Sequence, residues 1–303
     1  MKAVVRFDIR VACYSMINKV GNVSSLIAVL RPFVKPHRFD KMNRVLRQRI
    51  TSLHLVMENC ANPHNVAAVL RSADAFGIHH CHLIEKYEMM NVESDSSDWF
   101  SPCEKRNDAP KRSLSVRSGS SSGASAWLRI HRHSDTLSCL SALRNQGFIL
   151  CAAALSTQSI PLLALKDYVK TLPVSMSNVG RDAMFTPPMA LMFGNENRGL
   201  SPLALELADV KFEIPMAGFC DSLNVSVSAA VSMSSLVGAC QRSSMRQSET
   251  NVLSECGDAS LFRGDIDDDE QHWMLLRWLL RDVRSARGIV DRAGLSYLLP
   301  PDY

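Results

Sequence analysis

The sequence predicts an α/β fold: a mostly parallel sheet with helices on its faces. Three features carry that expectation. Short apolar runs alternate with helical patterns along most of the chain. Two of the helical patterns open on strong start signals, Asn62-Pro63 and Ser201-Pro202. No internal repeat is visible.

The elements follow in order. Strands are expected at Leu53–Met57, Ile78–Ile84, Trp127–Ile130, Phe148–Leu155, Ala190–Phe193 and Val210–Ile214. The first helix starts at Asn62 and is ended by Gly77, with Val66, Val69, Leu70, Ala73 and Phe76 as its core stripe. Further helices are expected near Thr136–Gln146, near Pro202–Ala208, and from about Asn224 onward. Gln271–Ser285 reads as a buried helix. Two segments read as loops or insertions. One is Ser-rich with alternating charge, about 88–126, and the other is 171–188.

The chain has 303 residues, a net charge of +4 and 46% hydrophobic residues, which suits a globular protein. We divide it into a basic N-terminal extension (1–50), a main domain (51–245) carrying the Ser-rich insertion, and an acidic linker with a helical extension (246–303). Nine cysteines without a CxxC pair favour a reducing compartment over a disulfide framework. The first 35 residues hold Lys2, Arg6, Arg10, Lys19, Arg31 and Lys35 against one acid, Asp8. That suits an organellar transit peptide and a basic arm equally, so cytoplasm, mitochondrion and plastid all stay open.

Ser222 to Gln241 carries no charge, but its serines and Asn224 break the apolarity that a membrane span needs. No membrane partner is expected.

Three stretches carry the chemistry. In "ENCANPHNVAAVLRSADAFG", Arg71 lies seven residues after His64, on the same helix face, among alanines. Asn65, His64 and the first-turn amides add donors suited to a phosphate or ribose. A surface Arg71 bridged to Asp74 accounts for the same pattern. In "MALMFGNENRGLSPLALELAD", a strand runs into a turn from Gly194 to Gly199, at the carboxyl end where ligands of α/β sheets sit. Glu196 would be a carboxylate at the ligand edge. In "IPMAGFCDSLNVSVSAAV", a strand, a loop and a helix of small residues follow one another, with Ser222 and Asn224 where the helix begins.

These three stretches, in this order and spacing, closely resemble the motifs of the TrmH (SpoU) family of SPOUT RNA 2'-O-ribose methyltransferases, over about Arg38 to Arg242. The long first motif with a basic segment before it looks most like the family's tRNA guanosine methyltransferases. The resemblance implies the SPOUT α/β knot, a deep trefoil knot and a rare exception to unknotted topology. It implies S-adenosylmethionine held through backbone groups of Gly194, Ile214 and Leu223, with Ala153 toward the adenine. It implies a homodimer and a tRNA substrate methylated on a guanosine of the D-loop. Action on rRNA, or an inactive RNA-binding scaffold of the same fold, are the alternatives.

By the same resemblance Arg71 is the catalytic residue. Asn65 orients it or the ribose, and Glu196, Ser222 and Asn224 shape the other side of the site. An Arg, with a pKa above about 12, is a poor base. Binding the neighbouring phosphate and orienting the hydroxyl is the physically safer role.

Arg44, Arg47 and Arg49 are the expected RNA-backbone grip, and His131–His133 can extend it. "IHHCHLIE" places His80 and His82 on one side of a strand and His79 and Cys81 on the other. With no second ligand pair in view, no metal is expected. A nicotinamide-dependent dehydrogenase is disfavoured because no GxGxxG follows any strand.

Overall fold

A computed structural model describes residues 20–85, 123–172, 183–248 and 264–299. Most of the Ser-rich insertion, the centre of the 171–188 loop and the first 19 residues lie outside the described residues.

The chain divides into two compact units. The larger holds a seven-stranded, all-parallel sheet in the order β3-β2-β1-β6-β4-β7-β5. Its strands are β1 (Leu53–Glu58), β2 (His80–Ile84), β3 (Arg129–His133), β4 (Ile149–Ala153), β5 (Ile160–Pro161), β6 (Met189–Phe193) and β7 (Val210–Glu213). Both faces are covered, which is why the strands read as near-continuous apolar runs. One face carries Leu55, Met57, Leu191 and Phe212, in one core with residues of the helices at Pro63–Ala75, Leu162–Lys170 and Val225–Ser248. The other carries Val56, Ala152, Ala190 and Met192, in a second core with residues of Thr136–Asn145 and Pro202–Leu207.

The smaller unit is helical. It joins the two chain ends, which the sequence presented as separate extensions. Among the described residues the helices, in chain order, are α1 (Val20–Leu30), α2 (Pro36–Arg47), α3 (Pro63–Ala75), α4 (Thr136–Asn145), α5 (Leu162–Lys170), α6 (Pro202–Leu207), α7 (Val225–Ser248), α8 (Asp268–Asp282) and α9 (Ala286–Arg292). Within the smaller unit α1 packs on α8 and α9, and α2 packs on α8. Leu26, Leu30, Met42, Leu46, Leu276 and Trp278 are buried there. Arg38 grips Asp282 with two hydrogen bonds, of 3.0 and 2.5 Å. A chain-end pairing of this kind leaves no local trace in sequence, because its contacts lie more than two hundred residues apart.

Several expectations shift at their edges. Residues 124–127 form a 3-10 turn, and the strand expected at Trp127–Ile130 starts at Arg129 and runs to His133. The short strand β5 and helix α5 occupy a stretch to which no element was assigned. Helix α8 begins three residues earlier than expected, because Asp267 caps it by accepting from the Glu270 N–H at 2.8 Å. Gly77 adopts φ +79°, and a Cβ there would sit 2.6 Å from the Gln48 carbonyl, so only glycine ends α3 this way.

Candidate active site

The site is built at the carboxyl ends of β1, β6, β4 and β7, four adjacent strands. Each arrives with its own turn.

After β1 the chain turns sharply at Asn59 (φ 52°) and enters α3. Asn62 caps that helix by accepting from the His64 N–H at 2.9 Å, with Pro63 in the first turn. After β6 the turn from Gly194 to Gly199 closes on itself. Asn195 and Gly199 exchange backbone hydrogen bonds of 2.9 and 2.8 Å. The Asn195 side chain accepts from the N–H groups of Asn197 and Arg198, and donates to the Asn59 carbonyl at 2.8 Å. A Cβ on Gly194 would lie 2.1 Å from the Gly199 carbonyl carbon. The neighbour that demands glycine at 194 is therefore the chain itself.

The turn delivers Glu196 to the mouth of α3. Glu196 accepts from the backbone N–H of Ala61 (3.1 Å) and of Asn62 (3.3 Å), and from the Asn65 side chain (2.8 Å). Burial pushes its pKa up, but the bonds from Asn65 and the backbone outweigh that and hold the carboxyl below its usual value. Asn65 in turn accepts from the Asn224 side chain at 3.2 Å. Asn224 opens α7 by accepting from the Ser226 N–H and hydroxyl. Asn65, Glu196 and Asn224, drawn from three distant stretches, thus form one connected network.

Arg71 lies two turns into α3, exposed, and its guanidinium makes no hydrogen bond or ion pair to any described residue. The alternative bridge to Asp74 is ruled out by a competitor. Asp74 is taken by Arg49, at 2.5 Å. Of the neighbouring alanines, Ala68 and Ala75 are exposed, whereas Ala67 is buried in the core. Ser222 is exposed and makes no hydrogen bond to the network.

The expected cofactor residues end adjacent strands. Ala153 closes β4, Gly194 follows β6 and Ile214 follows β7. Ala153 and Ile214 are half-buried, and Leu223 is exposed in the segment that leads to α7. Met216, Phe219 and Leu223 leave apolar surface open in that segment. Small residues at the strand ends and an apolar loop beside them fit a flat, partly apolar ligand such as an adenosyl group.

One expected RNA contact is corrected. Arg49 is fully buried. It donates to Asp74 and to the Trp127 carbonyl at 3.3 Å, so its charge serves the interior and no phosphate can reach it. Arg44 and Arg47, in the last turns of α2, are exposed.

Two residues at this edge stand at the head of the first motif, yet the sequence pattern assigns them no role. Glu58, at the end of β1, is buried and accepts from the Ser201 N–H and hydroxyl, both at 2.7 Å, and from Thr136. Its only trace in sequence is a carboxylate that ends an apolar strand. Cys60 follows it and donates to the Gly194 carbonyl at 3.5 Å. Burial, then the charges of Glu196 and Glu58, push its thiol up to about 12, so it does not serve as a thiolate nucleophile.

Comparison with known proteins bears on this geometry. A family model described as the SpoU rRNA Methylase family matches residues 103–234. A tRNA (guanosine(18)-2'-O)-methyltransferase of Thermus thermophilus is 30% identical over 194 residues, 64% of this chain and 78% of that protein. The chain belongs to the SpoU methylase family. A relative of the same name from Escherichia coli is 26% identical over 222 residues, covering 73% of this chain and 79% of that one. The fold of this chain matches the crystal structure of an Aquifex aeolicus TrmH/SpoU tRNA modifying enzyme. That match has a TM-score of 0.56 and 24% identity, over 82% of this chain and 98% of the other.

Proposed function

We propose that this chain transfers the methyl group of S-adenosylmethionine to the ribose 2'-hydroxyl of a guanosine in tRNA. The observation that carries the reading is the network Asn65–Glu196–Asn224, which ties the mouth of α3, the β6 turn and the start of α7 into one polar edge. Family membership and the names of the relatives supply the reaction class and the tRNA substrate.

The bound cofactor supplies an activated methyl group. Gly194, Ile214 and Leu223 would hold it through their backbone, with Ala153 beside the adenine. Arg71 binds the phosphate next to the target ribose and orients the hydroxyl; the hydroxyl proton passes to that phosphate as the oxygen takes the methyl group, and the fixed charge of Arg71 disperses the negative charge that develops on the oxygen. Glu196 keeps Asn65 turned toward Asn224, and Ser222 lines the same side. Arg44 and Arg47 grip the RNA backbone. A homodimer is part of the proposal. Its support is the exposed apolar set Val227 and Val231 on α7 with Phe219 before it. The SPOUT knot belongs to the same reading.

The test is transfer of a labelled methyl group to an unmodified tRNA transcript, followed by nucleoside analysis. We expect 2'-O-methylguanosine. Arg71→Ala should lower transfer by at least about 100-fold while S-adenosylmethionine still binds. Wild-type turnover in that variant, or label entering rRNA fragments and not tRNA, refutes the reading. Charge reversal of Arg44 and Arg47 should weaken tRNA binding and flatten its salt dependence by roughly one unit of slope per lost contact. An unchanged slope removes them from the interface.

A further inference from the structure

We propose that His82, His133 and Cys139 form a binding site for a divalent cation of the zinc type, on the half of the sheet away from the methyl-transfer edge. His82 comes from β2, His133 from β3 and Cys139 from the first turn of α4. Their ligand atoms all lie within 4.8 Å of one another. The second set of ligands that the sequence did not show is supplied by the next strand and the helix that follows it.

The distances suit the ion. His82 Nδ1 and His133 Nε2 face each other at 3.0 Å. Tetrahedral zinc has Zn–N of about 2.0–2.1 Å and Zn–S of about 2.3 Å, so two ligating nitrogens lie about 3.3 Å apart. An opening of a few tenths of an ångström admits the ion. Cys139 is buried and its thiol makes no hydrogen bond to any described residue, so its sulfur is uncommitted. Three protein ligands leave the fourth position to water, reached past half-buried His133.

The surroundings are those of a ligand set. The remaining nitrogen of His82, Nε2, lies 3.1 Å from His54 Nδ1. With Nδ1 on the cation, Nε2 carries the proton and donates it to His54, the outer-shell contact that metal-bound histidines make. The His131 ring stacks on His82 with centroids 4.5 Å apart, and His80 stacks on His54 at 4.4 Å, which fixes the ring planes. Asp135, which caps α4, and Glu58, bonded to Thr136 in its first turn, place two carboxylates beside this part of the helix, where they offset the charge of a bound cation.

The test uses the purified full chain, stripped with chelator and titrated with Co²⁺. We expect one tightly held Co²⁺ per chain, with the strong visible bands of four-coordinate cobalt and a near-ultraviolet thiolate band, both displaced by Zn²⁺. Cys139→Ser should remove the thiolate band. His133→Asn should remove the visible bands. His54→Phe, which cannot accept the outer-shell proton, should weaken binding roughly 10- to 100-fold. X-ray absorption at the zinc edge of the loaded wild type gives an answer that does not depend on how any variant folds, and should show one sulfur and two imidazole ligands. No metal retained by the wild type after gel filtration, or a zinc edge without a sulfur shell, overturns the proposal.

Discussion

Two glutamates stand at the same edge of the sheet and do opposite work. Glu58 ends β1, and Glu196 lies in the turn that follows the adjacent strand β6. Both accept three hydrogen bonds. The bonds to Glu58 come from the starts of α4 and α6, two helices on one face of the sheet, and the group is shut away from water at 2% exposure. The bonds to Glu196 come from the mouth of α3, and one donor, Asn65, reaches on to Asn224 at the solvent-facing start of α7. A carboxylate whose donors are all internal locks the fold. One whose donors remain linked to an open edge can hold the groups that face that edge. The difference lies in what surrounds each group, since the residue type and the number of bonds are the same.

The comparison predicts effects of different kinds, and the largest falls on stability. Glu58→Ala strips the acceptor from the Ser201 N–H and from two hydroxyls in a buried place, and should cost about 2–4 kcal/mol in denaturant or thermal unfolding. A variant that unfolds within about 0.5 kcal/mol of wild type would erase the distinction. Next comes Asn65→Ala, which cuts Glu196 from Asn224. Methyl transfer should fall about 10- to 100-fold, equivalent to roughly 1.4–2.8 kcal/mol of barrier. Unfolding should shift by less than about 1 kcal/mol, because the lost bonds are partly solvated. Equal losses in both assays would put Glu196 in the class of Glu58.

The smallest effect is on pH. The folded-state value of Glu196 lies below its usual one, so the unfolded chain takes up the proton first as pH falls. Its contribution is therefore intact above the usual carboxylate range and is lost as pH drops through the lowered value. A ¹³C carboxyl titration of Glu196 should show a midpoint below that of an exposed glutamate. A midpoint at or above it would mean that burial outweighs the donors.

Much of this was legible along the chain. Asn62-Pro63 and Ser201-Pro202 mark helix starts by chemistry that acts within four residues, and the structure places α3 and α6 there. The apolar runs betray a sheet buried on both faces. The motif order brought Asn65, Glu196 and Asn224 into one reading before any distance was known. Arg49 was not legible. In sequence it belongs to a basic cluster with Arg44 and Arg47, whereas in the fold it turns inward to Asp74. The histidines were half legible. Alternation put His80 and His82 on one side of a strand, but it could not show that β3 lies beside β2 and brings His131 and His133 against them.

The sequence by itself determined most strands of the sheet, the capped helices and their order, because caps, periodicity and turn residues act over a few neighbours. The tertiary structure decided which polar side chains meet. Strand order and register set the partners of Glu58, Glu196, Arg49 and His82, and these arise from packing between segments far apart in the chain. Burial then decided the role of each group: the same charge binds solvent-borne ligands at an open edge and becomes an internal fastener once water is excluded.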